Sequence, residues 1–188
     1  MYSIVSFLDH MSQKQNDLLI ILALLAGEGH VRHLAQITGL SPSTIARLVH
    51  ELSTKGVIDF REEGKNKICF LKETPEAESF IYMAEYYRRF LLLKNNHLRR
   101  LIKQLLSLTS DELVIMFGSQ VRGDSSNESD IDVYIETDNS DLRDRLKEVS
   151  DSLNLKIGNF DKESPLGKEI IKNHVIIRGV ERFYKLIK

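Results

Sequence analysis

Two carboxylates, Asp130 and Asp132, stand two residues apart, with ten residues between them and a preceding Gly118-Ser119 pair. Successive side chains on a strand point to opposite sides, so residues 130 and 132 share a face. Like charges that close repel strongly unless a cation sits between them. Mg²⁺ or Mn²⁺ fits that need, because such ions take carboxylate oxygens together with the phosphate oxygens of a substrate. Two metal ions held in this way can align an attacking hydroxyl with an α-phosphate. The residues before the carboxylates suit a triphosphate. Gly118 has no side chain, so a phosphate can come close to the backbone. Ser119 would open a helix and offer its hydroxyl and N–H groups. Arg122, about one turn further on, could neutralise the same phosphates.

A second set of polar residues suggests contact with duplex DNA. In Leu40-Ser41-Pro42-Ser43-Thr44, Ser41 suits an N-cap and Pro42 the first helical position. Ile45, Leu48, Val49 and Leu52 then form one apolar stripe. The opposite face carries Ser43, Thr44, Arg47 and His50. Hydroxyls at a helix N-terminus suit phosphates, and arginine can pair bidentately with guanine. The polar run Arg61 to Lys67 forms a tip in which Lys65, Asn66 and Lys67 would meet the DNA backbone or minor groove.

The elements that must position these residues follow from periodicity. A first helix runs through Asp17 to Leu25 and stops at Gly27-Glu28-Gly29. A short one spans Val31 to Thr38, and the Ser41-Pro42 helix closes at Gly56. Val57 to Phe60 and Ile68 to Leu71 alternate as a hairpin. Residues 75–109 read as one long helix, with Phe80, Ala84, Tyr87, Leu91, Leu98, Leu101, Leu105 and Leu108 in a heptad-like stripe for domain packing or a dimer seam. Residues 110–188 alternate strand and helix. Leu113–Phe117, Ile131–Ile135, Leu155–Ile157 and Val175–Ile177 read as strands, with helices over Leu142–Leu153 and around Glu169–Ile171. The expected organisation is an α+β chain of two domains. Residues 1–74 form a winged helix-turn-helix, 75–109 a linking or dimerisation helix, and 110–188 a small α/β domain.

Residues 12–74 resemble the winged-helix family of prokaryotic regulators. The likeness rests on Val31-Arg32-His33-Leu34-Ala35-Gln36-Ile37-Thr38-Gly39-Leu40-Ser41, Thr44-Ile45-Ala46-Arg47 and Leu52-Ser53-Thr54-Lys55-Gly56-Val57-Ile58. It implies double-stranded DNA as partner and a role in transcription regulation. Residues 110–180, through Gly118-Ser119 and Asp130-x-Asp132, resemble the DNA polymerase beta-like nucleotidyltransferases, specifically the minimal ones. That resemblance implies Mg²⁺, an NTP, and transfer of a nucleoside monophosphate to a hydroxyl, with Asp130 and Asp132 catalytic. It also implies a third carboxylate on the following strand. Here that strand reads Leu153-Asn154-Leu155-Lys156-Ile157, so the position falls to Asn154 or Lys156 according to register, with Asp161 beyond the strand. A regulator whose second domain binds a nucleotide or a protein partner without catalysis is therefore the alternative expectation.

Composition narrows the field further. The chain of 188 residues has a formal net charge of −1. Lys and Arg against Asp and Glu number 8 and 8 over 1–74, 6 and 3 over 75–109, and 12 and 16 over 110–188. Such balance excludes a purely electrostatic nucleic-acid binder. DNA binding would need a local patch, doubled in a homodimer. The longest apolar run, Leu18 to Ala26, is too short to span a bilayer, and Met1 to His10 lacks the features of a signal peptide, so a cytoplasmic protein with no membrane partner is expected. Cys69, the single cysteine, reads as a small core residue. His30, His33 and His50 lack the partners of a metal site and read as surface or capping residues.

Overall fold

The structure, a computed structural model, describes residues 4–64, 66–122, 130–147 and 153–188. The chain divides into two compact units, 1–87 and 88–188.

The first unit contains α1 (Ile4–Ala26), α2 (Val31–Thr38), α3 (Pro42–Thr54), β1 (Ile58–Glu63), β2 (Asn66–Leu71) and most of α4 (Pro75–Leu92). Local chemistry sets the short helices. His30 Nδ1 accepts from His33 N at 3.1 Å and caps α2, which ends on Gly39 at φ +72°. Ser41 Oγ accepts from Thr44 N at 3.1 Å and Pro42 opens α3. These caps satisfy N–H groups that a helix start leaves without partners. Ile45, Leu48, Val49 and Leu52 are buried against Ile20, Ile21, Leu24, Leu34, Val57 and Ile58. Cys69 lies in the same core, as expected, and burial pushes its thiol above its ordinary pKa. Its N–H and C=O also bond across to Gly29, adding a short third member to the hairpin.

The hairpin corrects one expectation. The tip is not the seven residues Arg61–Lys67, because β1 and β2 stay paired out to Glu63 and Asn66. Only positions 64 and 65 connect them. Gly64, at φ +61°, supplies the backbone twist that so tight a connection needs.

The single helix expected over 75–109 is two helices, α4 and α5 (Asn96–Leu108). The break is chemical. Asn95 leaves helical geometry and its Oδ1 accepts from His97 N at 2.9 Å and Leu98 N at 3.2 Å, so it starts a new helix. The leucine stripe thereby splits. Leu98, Leu101 and Leu105 pack into the core of the second unit, and so serve domain packing.

That unit is a four-stranded mixed sheet in the order β5-β4-β3-β6. Its strands are β3 (Leu113–Phe117), β4 (Ile131–Glu136), β5 (Leu153–Ile157) and β6 (His174–Arg178). β3 runs antiparallel to both neighbours, while β4 and β5 are parallel. One face carries Val114, Met116, Ile131, Val133, Ile135, Val175 and Ile177 against α5 and α7 (Ser140–Lys147). The other carries Tyr134, whose ring meets Phe160, and His174, whose ring meets Phe183. Both faces of β3 are covered, so all five of its residues are buried. α6 (Ser119–Arg122), α8 (Pro165–Lys172) and α9 (Val180–Ile187) complete the unit.

Two further expectations change here. Leu153 does not end a helix; it opens β5, because parallel pairing with β4 draws it opposite Ile131. Leu142 and Leu146 are buried on α7, and Val149, within the helix expected to run to Leu153, lies outside the described residues. α9 was not foreseen.

Candidate functional site

The carboxylate site is built where β3 ends and β4 begins. Pairing of the two strands stops at Phe117 opposite Asp132. Gly118 then turns the chain at φ +78°, a conformation that residues with a Cβ rarely adopt. A Cβ at Gly118 would stand 3.1 Å from Asp132 Cγ and would collide with Oδ2. Glycine is therefore required twice: by the turn, and by the carboxylate packed against it. Ser119 follows as the first residue of α6. Arg122 ends α6; its side chain, like Lys65 of the wing tip, lies outside the described residues.

Asp132 is half-buried and Asp130 exposed. Asp130 precedes β4 rather than lying on it, and β3, which has turned away at Gly118, gives it no pairing partner. The two carboxylates thus come from a strand and from the residue leading into it, not from one continuous strand as the spacing implied.

Register settles what stands at the third position. In the β4–β5 pair Asp132 lies opposite Asn154, and Tyr134 opposite Lys156. The row across the sheet reads His174, Phe117, Asp132, Asn154. Asn154 Nδ2 donates to Asp132 Oδ1 at 2.8 Å. Lys156 is exposed two rows away. Asp161, beyond the strand, is committed to its own turn: its Oδ1 accepts from Glu163 N at 2.9 Å and its backbone oxygen from Ser164 Oγ at 2.7 Å. Tyr134, on the same face, donates its hydroxyl to Gly158 O at 2.7 Å. Burial, followed by the charge of Glu136, pushes its phenol far above the ordinary value, so it is no base. Among the described residues no three of His, Cys, Asp and Glu converge as a metal cluster. The two aspartates suit a cation that completes its coordination with substrate phosphates, and Asn154 brings no charge to it.

A surface depression lies at the other end of β4, where Glu136 pairs with Arg182 at 2.8 Å beside Asp111, Asp138 and Asn159. It contains none of the motif residues.

The second candidate site is the outer face of α3. Ser43, Arg47 and His50 are exposed. Thr44 is half-buried, its hydroxyl 2.8 Å from Ser41 Oγ. Arg47 bonds Glu51 at 2.6 Å, one turn along the helix, a partner that spacing alone did not flag. On the wing, Asn66 and Lys67 are exposed, and the Lys67 ammonium lies 4.2 Å from the centre of the Phe60 ring. Arg61 was also passed over; it pairs with Glu28 across the base of the wing. The basic surplus of 75–109 is partly spent on the fold. Arg88 and Arg89 donate to the backbone oxygens of His174 and Ile177 at 3.0 and 2.6 Å.

These geometries agree with two family matches. The model of the IclR helix-turn-helix domain matches residues 16–62, which holds α2, α3 and all but the last residue of β1. The model of the nucleotidyltransferase domain matches residues 98–181, from α5 to the start of α9. The chain therefore carries a helix-turn-helix DNA-binding domain and a nucleotidyltransferase domain. The second suggests an NTP and a divalent metal in general terms. No curated protein and no solved structure matches the chain. No helix among the described residues is long and apolar enough to cross a membrane.

Proposed function

We propose that the protein is a DNA-binding transcription regulator whose C-terminal domain binds an NTP with Mg²⁺ at Gly118, Ser119, Arg122, Asp130 and Asp132. The observation that carries this reading is the Asp132 carboxylate packed directly on Gly118, where β3 ends opposite the start of β4. Gly118 and Ser119 would receive phosphates, Arg122 would neutralise them, and the two aspartates would hold the cation. When bound, the cation would screen the negative charge shared by carboxylates and phosphates. The exposed face of α3, with Ser43, Thr44 and Arg47, would enter the major groove, and Lys65, Asn66 and Lys67 would follow the backbone. A homodimer would double a DNA surface that has little net charge; Met83, Tyr86 and Phe90, exposed on one face of α4, support it.

Calorimetric titration of the full chain with a non-hydrolysable NTP analogue and Mg²⁺ tests the nucleotide half. Binding that survives Asp130→Ala with Asp132→Ala would sink the proposed site. Duplex selection followed by binding at increasing salt tests the DNA half. Sequence-independent binding alone would count against a regulator.

Transfer of a nucleoside monophosphate to a hydroxyl is the second reading, favoured by the complete Gly118-Ser119 and Asp130-x-Asp132 pattern. In that reaction the hydroxyl oxygen bonds to the α-phosphorus, pyrophosphate leaves, and the hydroxyl proton needs an acceptor. The Asn154 amide beside Asp132 cannot take it at neutral pH. Incubation with α-labelled NTPs and candidate acceptors separates the readings, since only the second moves label.

A further inference from the structure

We propose that Asn154 is a positioning residue that limits the cation affinity of this site, and that Asn154→Asp by itself tightens it. The proposal rests on the nucleotide–cation reading above and adds the residue that tunes it.

The two oxygens of Asp132 have different surroundings. Oδ2 faces the Gly118 turn. Oδ1 receives the Asn154 amide at 2.8 Å. That hydrogen bond orients the carboxylate. It also sets an N–H donor, carrying partial positive charge, where a cation would need a negative oxygen. To offer its own oxygen, the amide would have to turn over and release Asp132. The side chain is neutral in either orientation, so it contributes no net charge.

Nothing else described supplies what Asn154 lacks. Lys156 is two rows away opposite Tyr134, and the Asp161 carboxylate is held by Glu163 N. The position is exposed and in register with Asp132, so a carboxylate of the same shape fits it without repacking. Placed where the amide now stands, that carboxylate would repel Asp132 until a cation bridged the two. The substitution therefore makes the empty site worse and the loaded site better, and both changes raise affinity.

The test is a Mn²⁺ titration of the full chain, followed by loss of the free-ion electron paramagnetic resonance signal. It is run with and without a non-hydrolysable ATP analogue, on the parent, Asn154→Asp, Asn154→Glu, and Asn154→Asp combined with Asp132→Asn. Melting curves establish that each is folded. Mn²⁺ alone should bind Asn154→Asp at least tenfold more tightly than the parent. Asn154→Glu, with its longer stem, should gain less, and serves as the second variant if the first does not fold. The gain should vanish when Asp132→Asn is added. Mn²⁺ should also raise the melting temperature of Asn154→Asp more than that of the parent. Equal Mn²⁺ affinity in parent and carboxylate variants, with the parent still taking up Mn²⁺ and the ATP analogue, overturns this proposal and leaves the nucleotide reading standing. A gain that persists with Asp132→Asn overturns it too. No Mn²⁺ uptake by any variant, with or without the analogue, overturns both.

Discussion

The outer face of α3 and the β3–β4 turn are both polar surfaces on buried scaffolds, but they are specified differently. On α3 the proposed DNA face is what remains after Ile45, Leu48, Val49 and Leu52 are buried, and its side chains bond to near neighbours on the same helix start or turn, Thr44 to Ser41 and Arg47 to Glu51. At the β3–β4 turn, Gly118, Asp132 and Asn154 come from three separate stretches of chain and touch. A surface of the first kind can change partners by side-chain substitution without cost to the fold. One of the second kind cannot, because each residue fills space or a hydrogen bond that another needs.

Substitutions can break this contrast, and they fall in order of expected effect. Leu48→Ala removes a fully buried side chain beneath the outer face of α3 and should cost about 2–5 kcal/mol in chemical denaturation. If it costs under about 1 kcal/mol, the buried stripe is not what holds α3. Gly118→Ala forces a Cβ into the Asp132 carboxylate at positive φ, and should cost about 1–3 kcal/mol while abolishing nucleotide–cation binding. Retained binding would mean that Asp132 need not lie where it does. Arg47→Ala removes only an exposed ion pair with Glu51, so stability should change by about 0.5 kcal/mol or less, yet specific DNA affinity should fall about tenfold or more. Loss of stability without loss of affinity would make Arg47 a structural residue. Ser41→Ala removes the α3 cap and should cost about 1 kcal/mol.

The smallest effect concerns pH. Asp17 is buried on α1, and desolvation raises its carboxyl above the ordinary value, with Lys55 at 3.6 Å opposing. A raised acid is protonated more readily folded than unfolded, so its charge costs stability above the raised pKa and nothing below the unfolded value of 3.8. Asp17→Asn should therefore melt slightly higher than the parent at neutral pH. The difference should shrink as pH falls and disappear below 3.8; a difference that grows toward acid would reverse the sign.

Much of α3 was legible because its signals are local. Ser41-Pro42 marks the start and the stripe of Ile45 to Leu52 sets the buried face within a few turns. Cys69 and His30 were legible for the same reason: an apolar alternation places the one in the core, and a residue just before Val31 sits where a cap belongs. The break at Asn95 was hidden by a leucine stripe that runs on in phase across it. Only the bonds from Asn95 Oδ1 to His97 N and Leu98 N show that the helix restarts. The longer wing strands escaped notice because Arg61 to Lys67 is polar, whereas main-chain pairing does not depend on side-chain polarity.

The sequence by itself singled out the residues proposed for the C-terminal site: Gly118, Ser119, Asp130 and Asp132 stand out by type and spacing. It could not determine what faces Asp132 from the next strand. Side chains on a strand alternate, but the offset between two strands is set by pairing and packing across the sheet, and a shift of one residue would have presented Leu153 or Leu155 instead. The tertiary structure decided for Asn154, with its amide 2.8 Å from the carboxylate, and so decided the charge available to a cation there.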